Sequence, residues 1–116
     1  MSLDPKGEER RRHRRIDRHL EVRYYIGTDN NPVRVFTEDI SQGGIRIQNP
    51  FPIDEHYRFP IRITLNPETN LEIKAIARVA WQRKKPDAVM WEMGIEFIQI
   101  QDGDLEIIKK FLEEVG

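Results

Sequence analysis

At 116 residues with no cysteine, the chain is long enough for one domain with an unaided core, and it holds no disulfide or thiolate chemistry. Its 38% hydrophobic and 34% charged residues fit a globular protein with a wet surface; no apolar stretch reaches the roughly 18 residues of a membrane span, and no signal-peptide pattern opens the chain. The net charge of −1 conceals an asymmetry, because residues 6–18 carry seven bases and three acids (+4) while the rest carries twelve bases and seventeen acids (−5). A basic segment on an acidic body argues against broad nucleic-acid binding and fits a compact anionic partner. The cytoplasm is the expected compartment.

Residues 1–18 show no apolar periodicity and are expected to form a flexible arm. Leu20, Val22, Tyr24 and Ile26 then alternate with polar neighbours, which predicts a half-buried strand. Gly27 to Pro32 supplies turn chemistry. Val33–Ile40 and Gly44–Gln48 read as the next two strands, joined through Ser41-Gln42-Gly43, and Asn49-Pro50-Phe51-Pro52 breaks the pattern. Tyr57, Phe59, Ile61, Ile63 and Leu65 alternate again, with Pro60 marking an edge or a bulge. After a turn at Asn66–Asn70, the longest alternating run follows: Leu71, Ile73, Ala75, Ala77, Val79 and Trp81. Trp91, Met93, Ile95 and Phe97 make a sixth strand. Leu105, Ile108 and Leu112 fall at helical spacing with Ile107 and Phe111 beside them, and Asp102 and Asp104 are cap candidates near the positive end of the helix dipole. The expected fold is mainly β: a closed or nearly closed six-stranded antiparallel barrel over 19–116, a C-terminal α-helix packed on it, and the arm at 1–18.

Two constellations carry chemistry. Arg10-Arg11-Arg12-His13-Arg14-Arg15 offers planar, permanently charged forks that pair bidentately with phosphate and stack on bases. By itself such a run reads equally as a solvated basic tail. The second is Glu38-Asp39-Ile40-Ser41-Gln42-Gly43-Gly44-Ile45-Arg46-Ile47, around a strand-to-strand turn. Asp39 can accept from a guanine edge and Ser41 can donate to a phosphate oxygen, while the glycines allow positive φ or close backbone approach. Asp and Ser also serve as plain turn formers by bonding their own backbone.

Arg11-x-x-x-Arg15 followed by Asp39-x-Ser41-x-x-Gly44 resembles the PilZ domain family, receptors for cyclic di-GMP, and the arm, six strands and helix extend the resemblance over nearly the whole chain. The resemblance implies that Arg11 and Arg15 hold phosphates and guanine faces from the arm. Asp39, Ser41 and Gly44, with Gly43 beside them, would form the barrel side of the site. Arg10, directly before Arg11, accompanies in that family an intercalated pair of ligand molecules rather than one. Trp81 stands where some members present a tryptophan to a guanine, although its phase with Val79 and Ala77 equally suits a core position unless a bulge turns the strand end outward. Trp91 reads as core.

The implied role is a non-catalytic receptor in bacterial second-messenger signalling, with cyclic di-GMP as ligand and no cofactor. Its arm would order over the nucleotide and signal to a downstream protein or an adjoining domain. His13, His19 and His56 lack metal-ligand spacing, and no phosphate-loop or Ser–His–Asp motif is present. The alternative is an interaction module whose arm contacts an acidic protein or polyanion without binding nucleotide.

Overall fold

A computed structural model describes residues 16–27 and 31–115. Six strands and a helix follow in chain order: β1 (Glu21–Tyr24), β2 (Val33–Ser41), β3 (Gly44–Asn49), β4 (Phe59–Asn66), β5 (Leu71–Lys84), β6 (Trp91–Ile100) and α1 (Asp102–Val115). All strand pairings are antiparallel. The order β1-β2-β3-β6-β5-β4 closes on itself because β1 pairs with both β2 and β4. The expected closed barrel with a C-terminal helix is the fold that forms, and closure removes the exposed sheet edges on which chains aggregate.

Alternation sorts side chains between the two sides of the wall. On β4, Phe59, Ile61, Ile63 and Leu65 are buried; on β5, Ile73, Ala75, Ala77 and Val79 are. They meet Val22 and Tyr24 from β1, Ile40 from β2, Ile45 and Ile47 from β3, and Met93 and Ile95 from β6 in one core. Helix α1 packs against β5, burying Ile108 and Leu112 with Leu105, Ile107 and Phe111 partly covered. Asp102 and Asp104 lie in its first turn, where their negative charge complements the positive end of the helix dipole. No described helix is long and apolar enough to cross a membrane.

Strand ends differ from the sequence expectation for identifiable reasons. β1 stops at Tyr24, short of Ile26, because the Tyr25 N–H donates to the Pro60 carbonyl (3.3 Å) and Pro60 has no N–H to return. Pro60 therefore lies just past the last β1 pair, at a locally unpaired edge of β4, and is not a bulge. β4 is flanked by β1 and β5, and its own register shift falls between Thr64 and Asn66. The turn after it holds Asn70 at φ 57°, a conformation asparagine tolerates, while the Asn66 carboxamide oxygen accepts from the Glu68 N–H at 2.9 Å. At the barrel end, the buried Tyr24 hydroxyl donates to Asn49 Oδ1 (2.5 Å), and Asn49 Nδ2 donates to the Phe51 carbonyl (2.7 Å). Burial pushes the Tyr24 phenol up to about 12.

Candidate functional site

The β2–β3 connection turns in two residues, Gln42 and Gly43, with Ser41 paired to Gly44. Ser41 is buried, and its hydroxyl donates to the Gly44 carbonyl and accepts from the Gly43 N–H, each at 3.3 Å. This is the local turn-forming role open to serine, and it fixes where the hydroxyl points. Close approach is what Gly44 supplies: a Cβ there would collide with the Ile95 carbonyl oxygen and lie 3.1 Å from Glu96 Cα on β6. The Phe97 N–H donates to the Gly43 carbonyl at 2.9 Å, which extends the β3–β6 pairing into the turn.

From Asp39 a row of residues crosses four strands. Asp39 pairs with Arg46, Arg46 with Gly94, and Gly94 with Trp81. At about 4.8 Å per strand the row is roughly 14 Å long. Two bulges make it. The shift between Thr37 and Asp39 gives β2 an extra residue, so that both the Glu38 and Asp39 carboxylates reach Arg46. The shift between Val79 and Trp81 breaks the phase of β5, which takes Trp81 out of the core: the residue is 41% exposed. Its indole lies against Gly94, where any Cβ would strike the ring, and the remainder is open to solvent. Trp91, by contrast, is partly buried and packs against the core.

Arg46 organises the charges along this row. Its Nε donates to Asp39 Oδ2 (2.8 Å), and its Nη1 reaches both Glu38 Oε1 (2.8 Å) and Glu92 Oε2 (2.7 Å). Arg83 closes on the other Glu92 oxygen at 2.8 Å. Hydrogen bonds to Asp39 and then Glu92 raise the Arg46 pKa above the ordinary arginine value. Those from Arg46 and then Arg83 hold the Glu92 carboxyl below the usual carboxylate range. Asp39 and Glu92 are both buried, so each needs this compensation. Sequence reasoning gave no role to Glu38, Arg46, Arg83 and Glu92. Their only signal is a polar position in an alternating strand, shared with every solvated residue of the barrel.

Arg10, Arg11 and Arg15 lie outside the described residues. The chain that carries them joins the barrel at a defined place. Ile16 and Ile40 exchange two backbone hydrogen bonds (2.8 and 2.9 Å), so the residue after Arg15 is pinned between Asp39 and Ser41. The buried Thr37 hydroxyl secures the next residues by donating to the Arg18 carbonyl and accepting from the Leu20 N–H (2.9 Å). The structure thus brings Asp39, Ser41, Gly43, Gly44 and Trp81 onto linked strands of one wall. It combines a fixed carboxylate acceptor, a closely packed turn and an open aromatic surface. Among the described residues no group of three or more His, Cys, Asp or Glu side chains is placed to hold a metal ion.

The PilZ domain family matches residues 9–114 of the chain. No curated protein matches it. Among solved structures the chain is similar to the Bacillus subtilis inhibitor of motility MotI/DgrA, with 22% identity and a TM-score of 0.75, over 90% of this chain and 50% of that one. It is similar to the PilZ domain of YcgR from Escherichia coli, solved with c-di-GMP, with 18% identity and a TM-score of 0.69 over 91% of each chain. YcgR from Escherichia coli in complex with c-di-GMP aligns at 17% identity and a TM-score of 0.72, over 90% of this chain and 45% of that one. At these identities the likeness is one of fold. The chain spans about half the length of MotI/DgrA and of that longer YcgR chain.

Proposed function

This chain belongs to the PilZ domain family, a family of c-di-GMP receptors, and from that footing we propose that it is itself a non-catalytic receptor for cyclic di-GMP. The observation that carries the reading is the Ile16–Ile40 bridge, which fixes the residue next to Arg15 beside Asp39 and Ser41. Arg11 and Arg15 would clamp phosphates and guanine faces from the arm, and Asp39, Ser41, Gly43 and Gly44 would form the opposing side. Trp81, at the far end of the row, would stack on a guanine. The row's length of roughly 14 Å suits several stacked rings, in keeping with the intercalated pair of ligand molecules that Arg10 implies. Ordering of the arm over the nucleotide would change the surface presented to a downstream protein or an adjoining domain.

Calorimetry with cyclic di-GMP tests this. Two lost charge-assisted contacts of about 1.5–3 kcal/mol each predict at least a hundredfold weaker binding for Arg11→Ala/Arg15→Ala, roughly. A stoichiometry of two ligand molecules in the wild type, falling to one in Arg10→Ala, is expected, and the dinucleotide should be recovered intact. Undiminished binding by the double variant, or affinity that ignores nucleotide identity and falls steeply with salt, would refute the receptor reading in favour of a general polyanion module.

A further inference from the structure

A second row crosses the outer wall on β2, β1, β4 and β5, and all four of its members are cations. Arg34 pairs with Arg23, Arg23 with Arg62, and Arg62 with Lys74. Like charges directly opposite on one face of a sheet oppose folding, so this arrangement carries a cost that the barrel itself does not require. The adjoining row relieves part of it: Glu21 pairs with Arg34 (2.7 Å), and Glu72 lies 3.5 Å from Arg23 and 3.6 Å from Arg62. Glu21, Glu72 and the groove-lining Asp104 set three carboxylates against four cations, which still leaves the strip positive, and Lys74 makes no ion pair among the described residues. Beside Arg62 and Lys74 opens a groove of about 490 Å³ whose lining includes Tyr25, Pro60 and Ile76.

We propose that this strip is a docking surface for an acidic segment of another protein, laid across the strands with one apolar side chain in the groove. Width selects that partner over other anions. Glu21 and Glu72 border the row and Asp104 lines the groove, so a bilayer or a nucleic-acid duplex would meet carboxylates together with the cations. An extended peptide stays within one row, and about four residues at 3.4 Å each cover its roughly 14 Å. None of these residues belongs to the Asp39–Trp81 row, so the surface stands whether or not that row binds a nucleotide.

Fluorescence anisotropy provides the test, using a labelled synthetic peptide of one leucine followed by four glutamates, its glutamine counterpart, phosphatidylglycerol vesicles and a short DNA duplex. The protein is expected to bind the glutamate peptide and not the glutamine one. Arg62→Glu/Lys74→Glu should weaken that binding at least about tenfold, since opposed charge becomes like charge. Glu72→Gln should tighten it, a gain that misfolding cannot mimic, and Arg11→Ala/Arg15→Ala should leave it unchanged. Failure to bind the glutamate peptide, equal affinity in Arg62→Glu/Lys74→Glu, or stronger binding of vesicles or duplex through the same two residues would overturn the proposal.

Discussion

Gly44 and Trp81 show how single positions control the candidate site. The wall between β3 and β6 leaves no room for a methyl at Gly44, because the Ile95 carbonyl and the Glu96 Cα occupy that space. Gly44→Ala is expected to destabilise the barrel by roughly 1–3 kcal/mol, the range for overpacking, as a lower urea midpoint. Trp81 behaves differently, since it is 41% exposed and rests on Gly94 outside the core. Trp81→Ala should leave the urea midpoint nearly unchanged yet weaken cyclic di-GMP binding about tenfold, given stacking of about 1–3 kcal/mol per base. A large loss of stability without a change in affinity would return this residue to a packing role. The turn residues Asp39, Ser41 and Gly44 were legible in the sequence because their type and spacing are local. Arg46 and Glu92 were not, because they become partners only when β2, β3 and β6 lie side by side.

Among the elements, β2 does the most to position the site. It pairs with β1 over Val33–Phe36 and with β3 over Thr37–Ser41, and it also holds residues 16–20 through Ile40 and Thr37. The Thr37 hydroxyl is the clasp. Thr37→Val keeps the shape but leaves the Leu20 N–H and the Arg18 carbonyl without this partner, at a cost of roughly 1–3 kcal/mol. Faster hydrogen exchange at the Ile16 and Ile40 amides is the expected readout, together with weaker nucleotide binding from a residue too buried to touch the ligand. Unchanged exchange at those amides would show that the Ile16–Ile40 bridge holds without the clasp. The strand pattern itself was readable, since period two marks an inward side on each strand. The ends of β1 were not, because they depend on the missing Pro60 N–H across the barrel, and the bulge in β5 stayed one of two alternatives until its pairing with β6 was known.

For the whole molecule, closure links these local features into one stability that depends on pH at both extremes. Glu92 binds its proton more weakly folded than unfolded, so its contribution is complete above its ordinary 4.5 and drains away as pH falls towards the depressed folded value. Tyr24 has the opposite sign. Its folded pKa stands at about 12 against an ordinary 10.0, so its contribution is complete below pH 10 and is lost as pH rises to about 12. Urea midpoints measured across pH should therefore fall at both ends, and Glu92→Gln and Tyr24→Phe should each flatten their own side. A profile that keeps its acid slope in Glu92→Gln would assign that slope to other carboxylates.

By itself the sequence determined that six alternating strands and one amphipathic helix would bury a single core, and its motif spacing pointed to the PilZ domain family. Periodicity and motif spacing are short-range properties that survive without knowledge of neighbours. Only the tertiary structure decided that Trp81 faces outward, that Arg46 gathers the carboxylates of Glu38, Asp39 and Glu92, and that four cations on four strands fall into one row. Each of these is a matter of register, and a one-residue shift between strands would move every side chain concerned to the other side of the wall.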